Sequence, residues 1–343
     1  MSHKVKVIVP NDFTANFGGK EEFALDVLVG LSECPKYIPS KYMYDERGSQ
    51  LFEKITETPE YYLTNSELDS LEKNKERIGD FVKDEPFNLI ELGSGSGYKT
   101  KTLIESFLER GFEFQYVPID ISKTAMEKQV ADFEISFPSL EVYGLVTDYF
   151  TGIKWLNNRN GRKNLMLFLG SSIGNFSPSQ TREFLRNLWN SLNSGDLALI
   201  GFDLKKDIEA LLSAYNDRAG VTAKFNLNLL TRINTELGGN FDLTKFRHYG
   251  AYDVFSGAMR SSLVSLEAQE VYIDVIGKSF LFRPWEPIRT DSSYKYLESD
   301  IEAIALETGF VTREHFYDSR KYFLDSLWEC SSKSERATSL VKE

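Results

Sequence analysis

From Phe87 onward, short runs of nearly unbroken apolar residues alternate with segments whose apolar residues recur at helical spacing. FNLIEL, FQYVPID, LEVYGLVTD, NLMLFLG and DLALIGFD have strand length, and KTKTLIESFLERG, SKTAMEKQVADFEISF and Thr181 to Leu192 carry the 3.6-residue period between them. Strands apolar at almost every position must be covered on both faces, so this βαβαβ pattern predicts a parallel sheet between layers of helices. IEAIALETG, FVTREHFYD and YFLDSLWEC add a helix and two strands at the end of the chain.

The block from Lys205 to Tyr296 follows another pattern. Two helical segments, KKDIEALLSAYND and TAKFNLNLLTRINTEL, precede RSSLVSLEA and QEVYIDVIG, which alternate at period 2 like strands with one wet face. Because sheet-forming sequence resumes at FVTREHFYD, this block reads as an insertion. The first 60 residues, helical near EEFALDVLVGLSE and turn-rich at PKYIPSKYMYDERGS, have no evident place in the parallel sheet and are assigned to the inserted domain. The expectation is an α/β chain with a doubly wound sheet over 63–204 plus 297–343, and an α+β domain over 1–62 plus 205–296. The charge run LEKNKERIGDFVKDE reads as a solvated helix face.

Composition narrows the function. Forty Lys and Arg against 51 Asp and Glu give a net charge of −11, which repels nucleic-acid backbones and anionic membrane surfaces, so neither is expected as a partner. No run approaches the roughly 18 apolar residues of a membrane helix. Cys34 and Cys330 form no CxxC, and MSHKVKVIVPND lacks the apolar stretch of a secretion signal, which predicts a cytoplasmic protein. His3, His248 and His315 show no H-x-x-x-H spacing and no G-x-S-x-G accompanies them, so no metal is expected and hydrolase readings lack support. His248 is read as structural.

Candidate chemistry begins at Glu91-Leu92-Gly93-Ser94-Gly95-Ser96-Gly97, between a predicted strand and a predicted helix. Glycines there let the backbone approach a nucleotide closely. The G-x-G-x-G form lacks the G-x-G-x-x-G spacing, and no G-x-x-x-x-G-K-[ST] occurs, which demotes NAD and ATP. Asp120 ends the second strand, where a carboxylate can accept both ribose hydroxyls, and Asp148 ends the third, near the place of an adenine amino group. A tight turn beside two surface acids is the structural alternative. The E-x-G-x-G-x-G form with a strand-two acid resembles the class I S-adenosylmethionine-dependent methyltransferases. Gly174-Asn175-Phe176-Ser177-Pro178 follows the fourth strand, where amino-group methyltransferases hold the acceptor, although an N-cap neighbour would read the same.

Longer blocks carry a closer resemblance. PKYIPSKYMYDERGSQLFEKITETPEYYLTNSE, LIELGSGSGYKT, FLGSSIGNFSP, GFDLKKD, AYNDRAGVTAKFNLNLL, NTELGGNFDL and TDSSYKY, in that order, resemble the histidine-specific Nα-methyltransferases that make the trimethylated betaine precursor of ergothioneine. The resemblance implies a class I Rossmann-like sheet, S-adenosylmethionine as cofactor and a free amino acid as the small-molecule partner. Carried over by position, Tyr44 and Tyr61 face the acceptor amine, Asn175 and Tyr215 hold its carboxylate, and Met259 and Ser293 line the side-chain pocket. Gly93, Gly95, Gly97, Lys99, Asp120 and Asp148 fall on the cofactor side. The sequence departs at Asp291, where the family usually has Glu, one methylene longer. The alternatives are the same reaction on tryptophan, arginine or another amino acid, and a protein that binds cofactor or amino acid without turnover. Within PEYY, Tyr62 reads as the core residue; Trp285 in RPWEP reads equally as pocket lining or turn packing.

Overall fold

The computed structural model describes residues 5–8, 19–157 and 161–332. Positions 1–4, 9–18, 158–160 and 333–343 of the expected domains, His3 among them, lie outside the described residues. In chain order the strands are β1 (Val5–Ile8), β2 (Lys36–Tyr37), β3 (Phe87–Leu92), β4 (Phe114–Asp120), β5 (Glu141–Val146), β6 (Lys163–Phe168), β7 (Leu197–Asp203), β8 (Phe246–Asp253), β9 (Ala258–Ser265), β10 (Gln269–Ile273), β11 (Lys278–Phe282), β12 (Pro287–Tyr294), β13 (Phe310–Tyr317) and β14 (Phe323–Cys330). The helices are α1 (Lys20–Ser32), α2 (Glu46–Thr56), α3 (Leu63–Gly79), α4 (Tyr98–Glu109), α5 (Lys123–Ser136), α6 (Tyr149–Asn157), α7 (Pro178–Ser191), α8 (Ile208–Tyr215), α9 (Val221–Leu237) and α10 (Glu298–Thr308). None of the described helices is long and apolar enough to cross a membrane.

The chain divides into two compact units, one holding β1, Asn65–Leu204 and the chain from Tyr296, the other running to Thr64 and resuming over Lys205–Lys295. In the first, the described strands form a sheet of order β1-β5-β4-β3-β6-β7-β14-β13. β1 to β7 in that order pair in parallel, and β14 runs antiparallel to both β7 and β13. β3 and β7 are buried along their whole length, as near-continuous apolar strands covered on two faces must be. Leu71 and Ile78 of α3 and Leu103 and Phe107 of α4 join the apolar cluster around Phe87 and Leu165. The charge run thus has a wet side, with Glu72, Lys73 and Glu76 exposed, and a core side. Strand order reverses at β3, between β4 and β6, and a crevice outside the carboxyl ends of such strands is where doubly wound sheets bind ligands.

One expectation fails here. The N-terminal segment was assigned outside the parallel sheet, yet β1 pairs with β5 from Val5↔Val142 to Ile8↔Leu145 and forms its edge. Four residues, VKVI, are too few for a period to separate an edge strand from a loop. α6 arises where the pattern assigned no element, and α2 begins inside the turn-rich stretch that ends at Ser49.

The second unit contains a sheet of order β2-β12-β9-β8 and a β10-β11 hairpin. Leu229, Leu230 and Ile233 of α9 pack with Phe246, Leu263 and Ile288 into one core. Register decides which side of β12 joins that face. Residues directly opposite in an antiparallel pair share a face, and on β9 Met259, Ser261 and Leu263 are all buried. Their partners on β12 are Ser293, Asp291 and Ile288, because a bulge shifts the register between Arg289 and Asp291. The extra residue changes the parity of the strand. Were the same residues paired regularly, with no bulge, Ser292 and Tyr294 would continue the face begun by Ile288; with the bulge, Asp291, Ser293 and Lys295 do. Thr290, at the bulge, is buried and donates to Asn226 Oδ1 of α9 at 2.6 Å.

Candidate active site

In the first unit the glycine loop turns from β3 into α4 with Gly93, Gly95 and Gly97 all at positive φ, 68°, 53° and 64°. A Cβ on Gly97 would lie 2.6 Å from Gln129 Nε2 and 2.7 Å from the Phe133 ring, whereas nothing lies within 4 Å of one on Gly95. Gly97 is therefore demanded by the protein's own packing, while the space over Gly95 is open to a ligand. Beneath the loop, Ser94 Oγ donates to Gln129 at 2.6 Å, Gln129 Nε2 donates to the Tyr116 hydroxyl at 3.0 Å, and Tyr116 donates to Glu91. Burial lifts the Glu91 carboxyl to about 7.

Asp120 reaches the loop from the end of β4. Its Oδ1 accepts from Ser122 N at 2.9 Å. Burial raises its pKa, opposed by backbone N–H groups of Ser122, Ile121 and Gly95. Asp148 follows β5 and accepts from Thr151 N at 3.0 Å, capping the start of α6. That contact occupies one carboxylate oxygen. Tyr149, absent from the sequence reading, extends over the loop; a Cβ on Gly93 would lie 2.7 Å from its hydroxyl, which burial pushes up to about 12 with help from Asp120.

Lys99, in the first turn of α4, is ion-paired with the buried Glu67 of α3, whose other oxygen accepts from Gly170 N at 2.6 Å. Glu67 thus ties the helix after β3 to the loop after β6. A Cβ on Gly201 would come within 2.5 Å of that same Glu67 oxygen, so β7 needs glycine there. Glu67 also escaped the sequence reading, because ELDS in a charged helix gives no sign of burial. Asn175 closes a 3-10 turn, Ser172–Asn175, and is exposed. The cap of α7 is Ser177, in a capping box with Gln180, so capping does not explain Asn175.

The second unit gathers the remaining candidates from segments far apart in sequence. Ser293 lies directly across β9 from Met259, and Asp291 across from Ser261. Gly250 on β8 pairs with Ser261 and exchanges two 3.0 Å hydrogen bonds with the Asn216 side chain at the end of α8. A Cβ on Gly250 would lie 2.9 Å from that side chain, so glycine lets α8 dock and carries Tyr215 to this face. Lys295, buried at 3% exposure, donates to the Tyr215 hydroxyl at 2.9 Å and to Ser293 Oγ at 2.8 Å. Lys295 lies within TDSSYKY, and its period-2 spacing from Asp291 and Ser293 is the signal in the sequence that marks it.

Burial raises the Asp291 carboxyl to about 6, with the Ser292 backbone, Ser40 and the Lys295 charge acting against it. Tyr44 keeps 47% of its surface accessible, yet protein around its hydroxyl, with Asp291 and Tyr215 adding, pushes the phenol well above its ordinary range. It is pinned on both sides to α9: Tyr42 O accepts from Arg232 at 2.9 Å, and Asp45 Oδ1 from Asn228 at 2.7 Å. Its ring meets Phe52 and Phe225 edge-on at 5.6 Å, and Phe52 meets Tyr61 at 6.2 Å, which joins both candidate tyrosines in one aromatic cluster. Tyr62 is buried, with Lys206 2.9 Å from its hydroxyl. His248 pairs with Leu263 on the core face, where burial lowers it to about 4 and keeps it neutral. Trp285 is 70% exposed at a positive-φ turn.

Comparison with known proteins bears on the whole chain. A family profile described as histidine-specific methyltransferase, SAM-dependent, matches residues 23–330. The chain is 33% identical over 299 residues to the histidine N-alpha-methyltransferase of Mycolicibacterium smegmatis, covering 87% of this chain and 92% of that one. The enzyme of that name from Mycobacterium tuberculosis is 33% identical over 284 residues, 83% and 87% of the two chains. Ergothioneine biosynthesis protein 1 of Neurospora crassa is 32% identical over 90% of this chain, which spans about a third, 34%, of that longer protein. With a match over nearly its whole length and a doubly wound sheet carrying a glycine loop, the chain belongs to the histidine-specific methyltransferase family, class I enzymes that use S-adenosylmethionine.

Proposed function

We propose that the enzyme transfers methyl groups from S-adenosylmethionine to the α-amino nitrogen of free L-histidine, up to three times, giving the trimethylated betaine that an ergothioneine pathway consumes. The observation that carries this reading is the row Asp291, Ser293 and Lys295 on one face of β12, with Met259 opposite and Tyr215 attached. An acid and a hydroxyl beside an apolar wall suit a flat polar ring such as imidazole.

The cofactor fits the first unit on two observations: the open space over Gly95 and the half-buried Asp120 carboxylate beside it. Asp120 would accept the ribose hydroxyls, Asp148 would lie on the adenine side, and Gly93, Gly97 and Lys99 would complete the cradle. When bound, S-adenosylmethionine supplies an electrophilic methyl group on a sulfonium.

The enzyme's own task is positioning, which can account for several kcal/mol of such a displacement. The acceptor nitrogen must be unprotonated, but no strong base is needed in the site. Tyr44, held above the ordinary phenol range, keeps its proton and acts by hydrogen bonding the amine. The faces of Tyr44 and Tyr61 stabilise the cation that forms, each by about 0.5 to 2 kcal/mol. Asn175 and Tyr215 are assigned to the α-carboxylate, which selects free amino acids over peptides. Sparse cysteine usage supports a reducing, cytoplasmic setting for it.

The shortened acid at Asp291 is the feature that points toward another side chain. The deciding experiment incubates the enzyme and S-adenosylmethionine with each proteinogenic amino acid, tryptophan and arginine included, and with an N-terminal histidyl peptide, and reads products by mass spectrometry. Mono-, di- and trimethylated histidine from the free amino acid alone is expected; preference for another amino acid or for the peptide would overturn the assignment.

A further inference from the structure

The buried ammonium of Lys295 has a role that positional resemblance did not assign. An ammonium offers three N–H donors and no acceptor. Where Lys295 Nζ contacts Ser293 Oγ at 2.8 Å and Tyr215 Oη at 2.9 Å, both hydroxyl oxygens are therefore accepting. Each hydroxyl retains its own proton, which must point away from the ammonium. The Nζ also lies 4.9 Å from the Tyr215 ring centroid, so the two side chains are held together by two contacts. Asp291, two residues before Ser293 on the same face, is the nearby acceptor and feels the Lys295 charge.

We infer that Lys295 is a positioning residue that fixes Ser293 and Tyr215 as hydrogen-bond donors toward the acceptor amino acid, so that the side-chain subsite presents one donor, Ser293, and one acceptor, Asp291. The inference rests on the histidine reading above and deepens it. A neutral imidazole has one N–H and one bare ring nitrogen, and it satisfies both groups. Guanidinium offers donors only and would leave the Ser293 proton facing another proton. Indole offers a single donor and leaves that proton without a partner, and a site with unmet polar groups discriminates strongly. Tyr215, turned by the same ammonium, offers its proton to the α-carboxylate. One cation thereby sets the hydrogen-bond direction at both ends of the substrate.

The test compares histidine with β-(pyrrol-3-yl)alanine, which keeps the ring shape and an N–H but lacks the bare nitrogen. In the wild type, kcat/KM for histidine should exceed that for the analogue by at least about a hundredfold. Lys295→Met should raise KM for histidine by about 10- to 100-fold and shrink the histidine-to-analogue ratio at least tenfold, because Ser293 becomes able to turn and accept. S-adenosylmethionine affinity, measured by calorimetry, should stay within about twofold, and Lys295→Arg, which keeps cationic donors, should restore most of the ratio. A lysine that merely holds the fold would lower turnover of both amino acids equally and leave the ratio unmoved; that result overturns the inference. Ser293→Ala supplies a reading independent of whether Lys295→Met folds: it should harm histidine turnover at least tenfold more than analogue turnover, and equal losses would show that Ser293 accepts rather than donates. Wild-type enzyme inactive on histidine would sink the proposed function, whereas activity on histidine with no discrimination against the analogue would sink this inference alone.

Discussion

The two units build their candidate sites by opposite means. In the first, the candidates lie at or just beyond the carboxyl ends of parallel strands, and much of what a ligand would meet is backbone made accessible by glycine. In the second, Tyr44, Tyr215, Met259 and Asp291 come from four distant segments, and their meeting depends on strand register, one bulge and one helix docked on a glycine. A site made of strand ends is fixed once the sheet forms. A site made of register is one residue away from facing the wrong side.

The largest expected effect exploits that difference. Deleting Arg289 and Thr290 together should leave β12 without a bulge and with the opposite parity, so that Ser292 and Tyr294 continue the face of Ile288, whereas deleting Thr290 alone removes the bulge yet keeps Asp291 and Ser293 on that face. Loss of the Asp291 and Ser293 contacts together should cost histidine kcat/KM about 10³-fold or more, while the cofactor affinity of the first unit is unchanged. Ser292→Ala and Ser293→Ala sharpen the point in a deletion-free background, since only the second should raise KM for histidine. Retained histidine turnover in the double-deletion variant would show that the parity of β12 does not aim the site.

Next comes Asp120→Ala, which strikes the first unit only. Calorimetry should find S-adenosylmethionine weakened about ten- to a hundredfold, the value of a carboxylate accepting two buried hydroxyl protons. Unchanged affinity, or tighter binding of NAD, would remove Asp120 from the cofactor site.

These expectations also mark how far the sequence could be read. The strands from Phe87 to Asp203 and the glycine loop are local patterns, each complete within about ten residues. Glu67 and Tyr149 were missed because their significance lies in what they meet, Gly170 and Gly93, which no local window contains. In the second unit, period 2 revealed strands but not their faces: TDSSYKY holds two adjacent serines, and only a bulge two residues earlier decides which one is inside. β1 failed for want of length.

A smaller effect separates the glycines. Gly97→Ala brings a Cβ against Gln129 and Phe133, so it should lower stability by roughly 1 to 3 kcal/mol, read by thermal melting. Gly95→Ala meets no protein atom and should cost only about 1 kcal/mol of backbone strain, yet weaken cofactor binding more than it weakens the fold. Equal ratios of binding loss to stability loss in the two variants would contradict the open space over Gly95.

The remaining effect is a gain. With the Asp291 carboxyl raised from 3.8 to about 6 by burial, the folded state holds its proton more tightly than the unfolded chain. Its contribution to stability is full below pH 4, declines between pH 4 and 6, and stays reduced above. Asp291→Asn should therefore stabilise the protein at pH 7 by roughly 1 to 2 kcal/mol, allowing for partial accessibility, and change little at pH 4, while histidine turnover falls. A stability change that is the same at both pH values would mean that Asp291 is not strained by burial.

The pairing of β2 with β12 also sets a timetable for synthesis. Ile288 and Arg289 close in parallel on Lys36 and Tyr37, so the segment that carries Tyr44 is made long before the strand that must flank it. About 250 residues separate the two, and at 5–20 residues per second a ribosome needs on the order of ten seconds or more to bridge them. Until α9 is made, late in that interval, the helices of the first segment, with apolar faces meant for it, have nothing to cover them, while β3 to β7 can already begin to pair. The acceptor side of this enzyme should therefore close late, just ahead of β13 and β14, and depend on chaperones in the cell during that wait.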